Sequence, residues 1–290
     1  MVEKKVKPKK RQKKSLDVGV SAKRRQREHR ILILAIMFVG VVFSTVAVLG
    51  ILNYDRDHNA TEQQIALTAE NATLRETDIN SEVIEPEEDL DERNPYWSFI
   101  KMKLLDVNLN RLRAINPETK GWVQLSGTNV NYPFVQHADN EHYLKHTFDG
   151  SYNSAGWVFL DYRNKEDLSD RHSILYAHGR VDTTMFGDIR NLLASGWLSN
   201  RNNFSIRTST QNENAMWQVF SIYHLPTTTD YLKISFSTDA EYDNFLKMIT
   251  KRSAYNFNSA PTTSDRIITL STCYSETERM VVHAKLIKYN

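Results

Sequence analysis

Twenty-two residues without a single charge, Ile31 to Leu52, constrain this chain more than any other stretch. At about 1.5 Å per residue in a helix, the run reaches roughly 33 Å, enough to cross a hydrocarbon core. Residues 1–30 before it carry 13 Lys/Arg against 3 Asp/Glu. A basic flank of this kind is retained in the cytoplasm, so the expected topology places residues 53–290 outside. The competing reading is a cleaved signal peptide, whose apolar core runs about 7–15 residues. This run is longer, and Leu49-Gly50-Ile51-Leu52-Asn53 has no small-x-small cleavage site. A single uncleaved membrane anchor is therefore expected. The basic tail is explained by topology, and no nucleic-acid partner is expected.

The net charge of +2 averages opposite parts, because 24 Lys/Arg meet 32 Asp/Glu beyond the anchor. Residues 53–95 hold 13 Asp/Glu against 3 Lys/Arg, and Ile65, Leu67, Leu74 and Ile79 keep no steady heptad. They read as an acidic extracellular stalk, partly helical or disordered, punctuated by Pro86 and Pro95. A domain over 96–290 follows, long enough for one sizeable core. Phe99, Met102, Leu105, Leu109 and Leu112 recur at three or four residues, which predicts a helix over 96–115 ending before Asn116-Pro117. Short strands are expected at 121–125, 131–135, 156–162, 172–178, 204–207 and 216–224. Helical interruptions are expected at 185–194 and 239–253, the latter with Tyr242, Phe245, Leu246 and Ile249 as a core stripe. Many short strands with few long helices indicate a barrel or a sandwich.

The chain has one cysteine, Cys273. It ends the strand-like run Arg266-Ile267-Ile268-Thr269-Leu270-Ser271-Thr272, and a polar turn at 274–278 leads to a second run, 279–287. The two read as an antiparallel hairpin. If Cys273 and Arg279 close it, they share a face with Cβ atoms roughly 4.5–5.5 Å apart. A guanidinium there can favour a thiolate or bind an oxyanion. The plainer alternative is that a lone cysteine is a small buried hydrophobe. Acyl chemistry at a thiol also needs a proton donor for the leaving amine, and histidine is the usual choice. Of nine histidines, His29 lies in the basic tail and His58 in the stalk. His178 ends an apolar strand before Gly179, where a ring can reach the rim. His137, His142 and His146 cluster, with His142 and His146 at helical i,i+4 spacing, but position 143 is Tyr where a zinc-hydrolase motif has Glu. They read as surface or structural residues, and no metal or other cofactor is expected.

Thr-Leu-Ser-Thr-Cys at 269–273, with Arg279 opening the next strand, resembles the active-site signature of sortases, the cysteine transpeptidases of Gram-positive cell surfaces. Tyr176-Ala177-His178-Gly179 with Thr184-Met185-Phe186-Gly187-Asp188 is similar to the histidine region of class B members. Gly156–Asn164 and Asn131–Gln136 resemble further family segments, so the likeness covers 96–290. It implies a mainly β fold: a closed eight-stranded barrel with an N-terminal helix and an extra helix before the cysteine strand. It also implies Cys273 as nucleophile, His178 as general acid/base and Arg279 as oxyanion and substrate stabiliser. Ser271, Thr272, Tyr231 and Leu232 would line the substrate groove. Implied partners are surface proteins or pilins with a Leu-Pro-x-Thr-Gly or Asn-Pro-x-Thr-x sorting motif, and an amine from a cell-wall precursor or a pilin lysine. The alternatives are a surface cysteine protease acting on the same motif and a non-catalytic anchored scaffold.

Overall fold

The computed structural model describes residues 12–290 apart from 88–89, 93, 195 and 274–276, and gives only the backbone for 12–22 and 273. The start of the basic tail, residues 1–11, and most of the expected polar turn, Tyr274, Ser275 and Glu276, lie outside the described residues. The chain forms two compact units, one up to Arg56 and one from Asp57. The first unit consists of helix α1 (Gln12–Asn71) as far as Arg56. Its apolar residues from Ile31 to Leu52 are exposed, Phe38 and Phe43 among them. Among the described residues, this is the one helix long and apolar enough to cross a membrane.

The second unit begins inside the stretch expected to be a stalk. From Asp57 onward that stretch is packed into the fold. The Asp57 carbonyl accepts from Asn153 Nδ2 at 2.9 Å, and its carboxylate accepts from Ser154 Oγ at 2.6 Å. Thr61 and Thr68 are buried. Strand β1 (Thr73–Thr77) follows, then β2 (Glu82–Val83) and the single-turn helix α2 (Tyr96–Phe99). Next come β3 (Leu104–Asn108), paired antiparallel with β1, and α3 (Asn110–Ile115). The expected continuous helix over 96–115 is thus two short helices with a strand between them. Leu104, Leu105 and Val107 satisfy a period of two as well as of three or four, and short apolar runs are ambiguous in this way. Pairing with β1 and a bond from Val107 N–H to Ser209 Oγ at 3.0 Å decide in favour of the strand.

The remaining strands are β4 (Thr119–Leu125), β5 (Asn131–Val135), β6 (Phe159–Leu160), β7 (His172–Ala177), β8 (Ser205–Thr210), β9 (Asn214–Pro226), β10 (Ile267–Cys273) and β11 (Glu278–Tyr289). Hydrogen bonds run through β10-β7-β6-β5-β4-β8-β9-β11, and β10 pairs with β11, which closes an eight-stranded barrel. Strand β2 adds to β11 at Val83–Lys288. The strand expected over 156–162 shrinks to two residues. Gly156 takes φ +61°, and a Cβ there would stand 2.3 Å from the Tyr143 carbonyl oxygen, so the chain is still turning at that point. The helix expected at 185–194 is a single 3-10 turn, Asp188–Asn191, preceded by Met185 at φ 55°.

Helix α4 (Asp239–Lys251) is capped by Thr238, whose hydroxyl accepts from Glu241 N–H. Such a cap contributes about 1 kcal/mol. Alternation in the last strands builds two cores. Val219 and Ile222 of β9, Ile268 and Leu270 of β10, and Met280, Val282 and Ala284 of β11 enter the barrel interior. Phe220 and Tyr223, Ile267, and Val281 face the other way, against Tyr242, Phe245, Leu246 and Ile249 of α4. One face of β10 is thereby committed to the barrel and the other to the α4 side.

Candidate active site

Strand β10 runs between β7, its parallel neighbour, and β11, its antiparallel one. Thr272 is paired with Ala177 on one side and Met280 on the other, and Cys273 with Arg279. His178, the residue after Ala177, continues the parallel register to the level of Cys273. Three consecutive strands thus bring His178, Cys273 and Arg279 to one rim, with neighbouring backbones about 4.8 Å apart. Parity places all three positions on the α4 face: His172 and Tyr176 precede His178, Thr269 and Ser271 precede position 273, and Val281 and His283 follow Arg279.

His178 is half-buried, and its Nε2 lies 2.8 Å from the Leu144 carbonyl oxygen. A carbonyl can only accept, so Nε2 carries the proton and Nδ1 is the ring nitrogen left for proton exchange. Leu144 ends the 3-10 turn His142–Leu144, which therefore orients the ring. Arg279, also half-buried, donates from Nη1 to the Glu278 carbonyl at 3.1 Å, a local contact that a ligand oxygen can replace. Of the remaining expected groove residues, Ser271, Thr272 and Tyr231 are buried. Ser271 and Tyr231 are bonded to each other, Oγ to Oη, at 2.9 Å. Thr272 is buried on the opposite, barrel-side face, and its Oγ1 has no partner among the described residues. Leu232 is half-buried, and its carbonyl accepts from Arg163 Nη2 at 3.0 Å.

Beneath the rim lies a buried polar chain that the sequence did not announce. His172 Nδ1 is 2.7 Å from the Lys233 carbonyl, and His172 Nε2 is 2.6 Å from Thr269 Oγ1. Thr269 Oγ1 is 2.7 Å from His283 Nδ1, and His283 Nε2 is 2.8 Å from Tyr223 Oη. Both rings are neutral. Burial pulls His172 down to about 4, although the Lys233 carbonyl favours its charged form, and burial also holds His283 well below the ordinary histidine value. The proton positions then follow in sequence. His172 Nδ1–H must donate to the carbonyl, so its Nε2 accepts from the Thr269 hydroxyl. Having spent its proton, Thr269 oxygen accepts from His283 Nδ1–H, and His283 Nε2 accepts from Tyr223 O–H. His172, Thr269 and His283 come from three adjacent strands, and their shared parity was the one clue in the sequence.

A second group missing from the sequence reading is Asp161, fully buried, whose carboxylate accepts from Arg163 Nε at 2.8 Å, Arg163 Nη2 at 2.7 Å and Tyr176 Oη at 2.9 Å. Burial alone would raise its pKa, but the bonds from Arg163 and Tyr176 outweigh it and hold the carboxyl below the usual range. The histidine cluster forms a stack: His137 on His142 at 4.3 Å and His142 on His146 at 4.0 Å between ring centroids. His137 Nδ1 is 2.7 Å from Glu118 Oε1, and His146 Nδ1 is 2.7 Å from the His142 carbonyl. Desolvation, then His146 and His137, lower the pKa of His142. Among the described residues, no three His, Cys, Asp or Glu side chains are grouped to hold a metal.

Comparison with known proteins gives a consistent result. The Sortase domain family matches residues 123–287. Sortase B of Listeria monocytogenes is 28% identical over 258 residues, covering 88% of this chain and 95% of that protein. Sortase B of Staphylococcus aureus is 36% identical over 181 residues, covering 61% of this chain and 73% of that protein. The crystal structure of sortase B from B. anthracis in complex with AAEK1 superimposes with a TM-score of 0.63 at 29% identity, covering 82% of this chain and 99% of that one. The closed barrel with its α4 insertion before the cysteine strand, and the family match across it, agree: this chain belongs to the sortase family of cysteine transpeptidases, in its class B.

Proposed function

We infer that this protein is a membrane-anchored transpeptidase that cleaves a C-terminal sorting motif at threonine and joins the acyl group to an amine. The observation that supports this reading is the three-strand register in which Cys273 pairs with Arg279, Thr272 pairs with Ala177, and His178 follows Ala177. In the first half-reaction the Cys273 thiolate attacks the threonine carbonyl carbon. The carbon–nitrogen bond then breaks, and protonated His178 gives its proton to the departing amine, leaving a thioester. In the second half-reaction an incoming amine attacks the thioester, neutral His178 accepts its proton, and Cys273 leaves as thiolate. Arg279 offers its guanidinium to the oxyanion of each tetrahedral intermediate. The donor peptide is of the Leu-Pro-x-Thr-Gly or Asn-Pro-x-Thr-x type. The acceptor amine belongs to a cell-wall precursor or to a pilin lysine.

The apolar run in α1 and the basic residues before it support a single-span anchor with the catalytic unit outside. Attack needs the thiolate while departure needs the imidazolium, so the rate should follow a bell-shaped pH profile. A flat profile between about pH 5 and 10 would contradict the mechanism.

The test uses the full chain in detergent, because residues 57–95 pack into the catalytic unit. Fluorescent sorting-motif peptides are incubated with and without an amine acceptor, and Cys273→Ala is the control. Ligated product that disappears in the variant is the expected result. Hydrolysis alone despite suitable amines would point to a surface cysteine protease, and turnover that does not depend on Cys273 would reject the assignment.

A further inference from the structure

Between β9 and α4, residues 231–233 have no ladder partner, yet each of the three is held by a side-chain bond to β10, to β7 or to the loop before β7. Tyr231 Oη meets Ser271 Oγ at 2.9 Å, the Leu232 carbonyl accepts from Arg163 Nη2 at 3.0 Å, and the Lys233 carbonyl accepts from His172 Nδ1 at 2.7 Å. Backbone outside a ladder must find its partners elsewhere, and here Arg163 and His172 supply them to the Leu232 and Lys233 carbonyls. Arg163 is the most accessible of the three holding groups and is itself fixed. Its Nε and Nη2 grip the two oxygens of buried Asp161, which also accepts from Arg163 N–H at 3.0 Å. Tyr176 completes the grip from β7, where it pairs with Ser271, two residues before Cys273, and itself lies two residues before His178.

We propose that Arg163 is a positioning residue for the peptide groove: it fixes the backbone at Leu232 and so sets how the acyl-donor peptide lies against Cys273. This rests on the transpeptidase reading above. Arg163 acts through Leu232, with Asp161 as its anchor. The planar guanidinium can hold a carboxylate through two nitrogens while donating to a carbonyl, which a lysine ammonium cannot do in the same geometry.

The experiment compares wild type, Arg163→Met and Arg163→Lys in the full chain, with a sorting-motif peptide and an amine acceptor. Loss of one charge-assisted bond that orders the groove should raise KM for the peptide about tenfold in Arg163→Met. Unchanged kcat and an unchanged rate of Cys273 labelling by a methanethiosulfonate reagent are also expected. Arg163→Lys should fall between the two. Amide exchange at 231–233 should speed up in Arg163→Met while exchange in β10 stays as in wild type. An unchanged KM overturns the proposal, and so does an equal loss of kcat and thiol labelling, which would indicate general damage. Absence of Cys273-dependent turnover in wild type would overturn the transpeptidase reading alone. Amide exchange would then decide the clamp, with unchanged exchange at 231–233 rejecting it.

Discussion

Replacing Thr269 by valine should be among the most damaging single changes in the barrel, although it leaves the shape of the side chain almost intact. Thr269 Oγ1 donates to His172 Nε2 and accepts from His283 Nδ1–H, both within fully buried surroundings. Valine makes neither bond and leaves an acceptor on one ring and a donor on the other without partners. Each orphaned group costs about 1–3 kcal/mol, so the pair comes to about 4 kcal/mol. Because valine fills the same volume, no cavity contribution enters. For a unit of this size, 1 kcal/mol corresponds to about 2–4 °C, which gives a fall in Tm of roughly 8–16 °C. Thr269→Ser keeps the hydroxyl, sheds one methyl group and should cost about 1 kcal/mol. Tryptophan fluorescence is the suitable probe, since Trp122, Trp157, Trp197 and Trp217 are all buried in the catalytic unit and α1 contributes none. A Thr269→Val protein as stable as the serine variant would refute the chain of bonds from Lys233 to Tyr223.

The same two histidines predict a pH dependence of stability. Their folded pKa values are depressed, so between about pH 4 and 6.5 the unfolded chain binds more protons than the folded one. Stability is full above about pH 6.5 and declines towards pH 4, by about 3 kcal/mol for His172. Urea midpoints measured across that window should rise with pH, and a constant midpoint would contradict neutral buried rings. Lys288→Met should cost about 2–4 kcal/mol, because buried Lys288 Nζ donates to the Ile100 and Met102 carbonyls at 3.0 Å each and to Asp78. Limited proteolysis should then cut faster within 79–87, and an unchanged cleavage rate would show that Lys288 does not secure that segment. Arg279→Ala should lower kcat/KM for the sorting-motif peptide by about 10²-fold or more while Cys273 remains open to thiol reagents, whereas activity near wild type would remove Arg279 from the oxyanion role.

The hairpin, the strand-end histidine and the α4 stripe were legible because each rests on local pattern: alternation, a terminal polar residue, a 3–4 spacing. The Cys273–Arg279 pairing was legible with the hairpin, but the parallel register of β7 on β10, which carries His178 towards Cys273, was not. The helix expected over 96–115 failed where Leu104, Leu105 and Val107 fit two periods at once and a distant strand, β1, made the choice. That strand comes from the acidic stretch 53–95, whose composition indicated a solvated spacer. Its few apolar and hydroxyl side chains nevertheless suffice, because the barrel offers them ready partners such as Asn153, Ser154 and Lys288. The Asp161–Arg163 grip and the His172–Thr269–His283 chain were hidden for a related reason. Asp161 and Arg163 lie two residues apart, but the groups they join, Tyr176 and Leu232, are distant in sequence, as are His172, Thr269 and His283 from one another, and each looks ordinary alone.

The parallel pairing of β7 with β10 also governs how this chain can change in length. No connecting loop sets the spacing of His178 and Cys273. The ladder sets it, so the long excursion between them, carrying β8, β9 and α4, can grow without disturbing it. Doubling a flexible loop there costs only about 0.6 kcal/mol in closure entropy. Removing one residue inside β10 is a different matter. The alternation inverts, Thr269 and Ser271 exchange faces with Ile268 and Leu270, and position 273 is carried away from the rim. Insertions and deletions should therefore be tolerated in the loops and excluded from seven residues of a single strand.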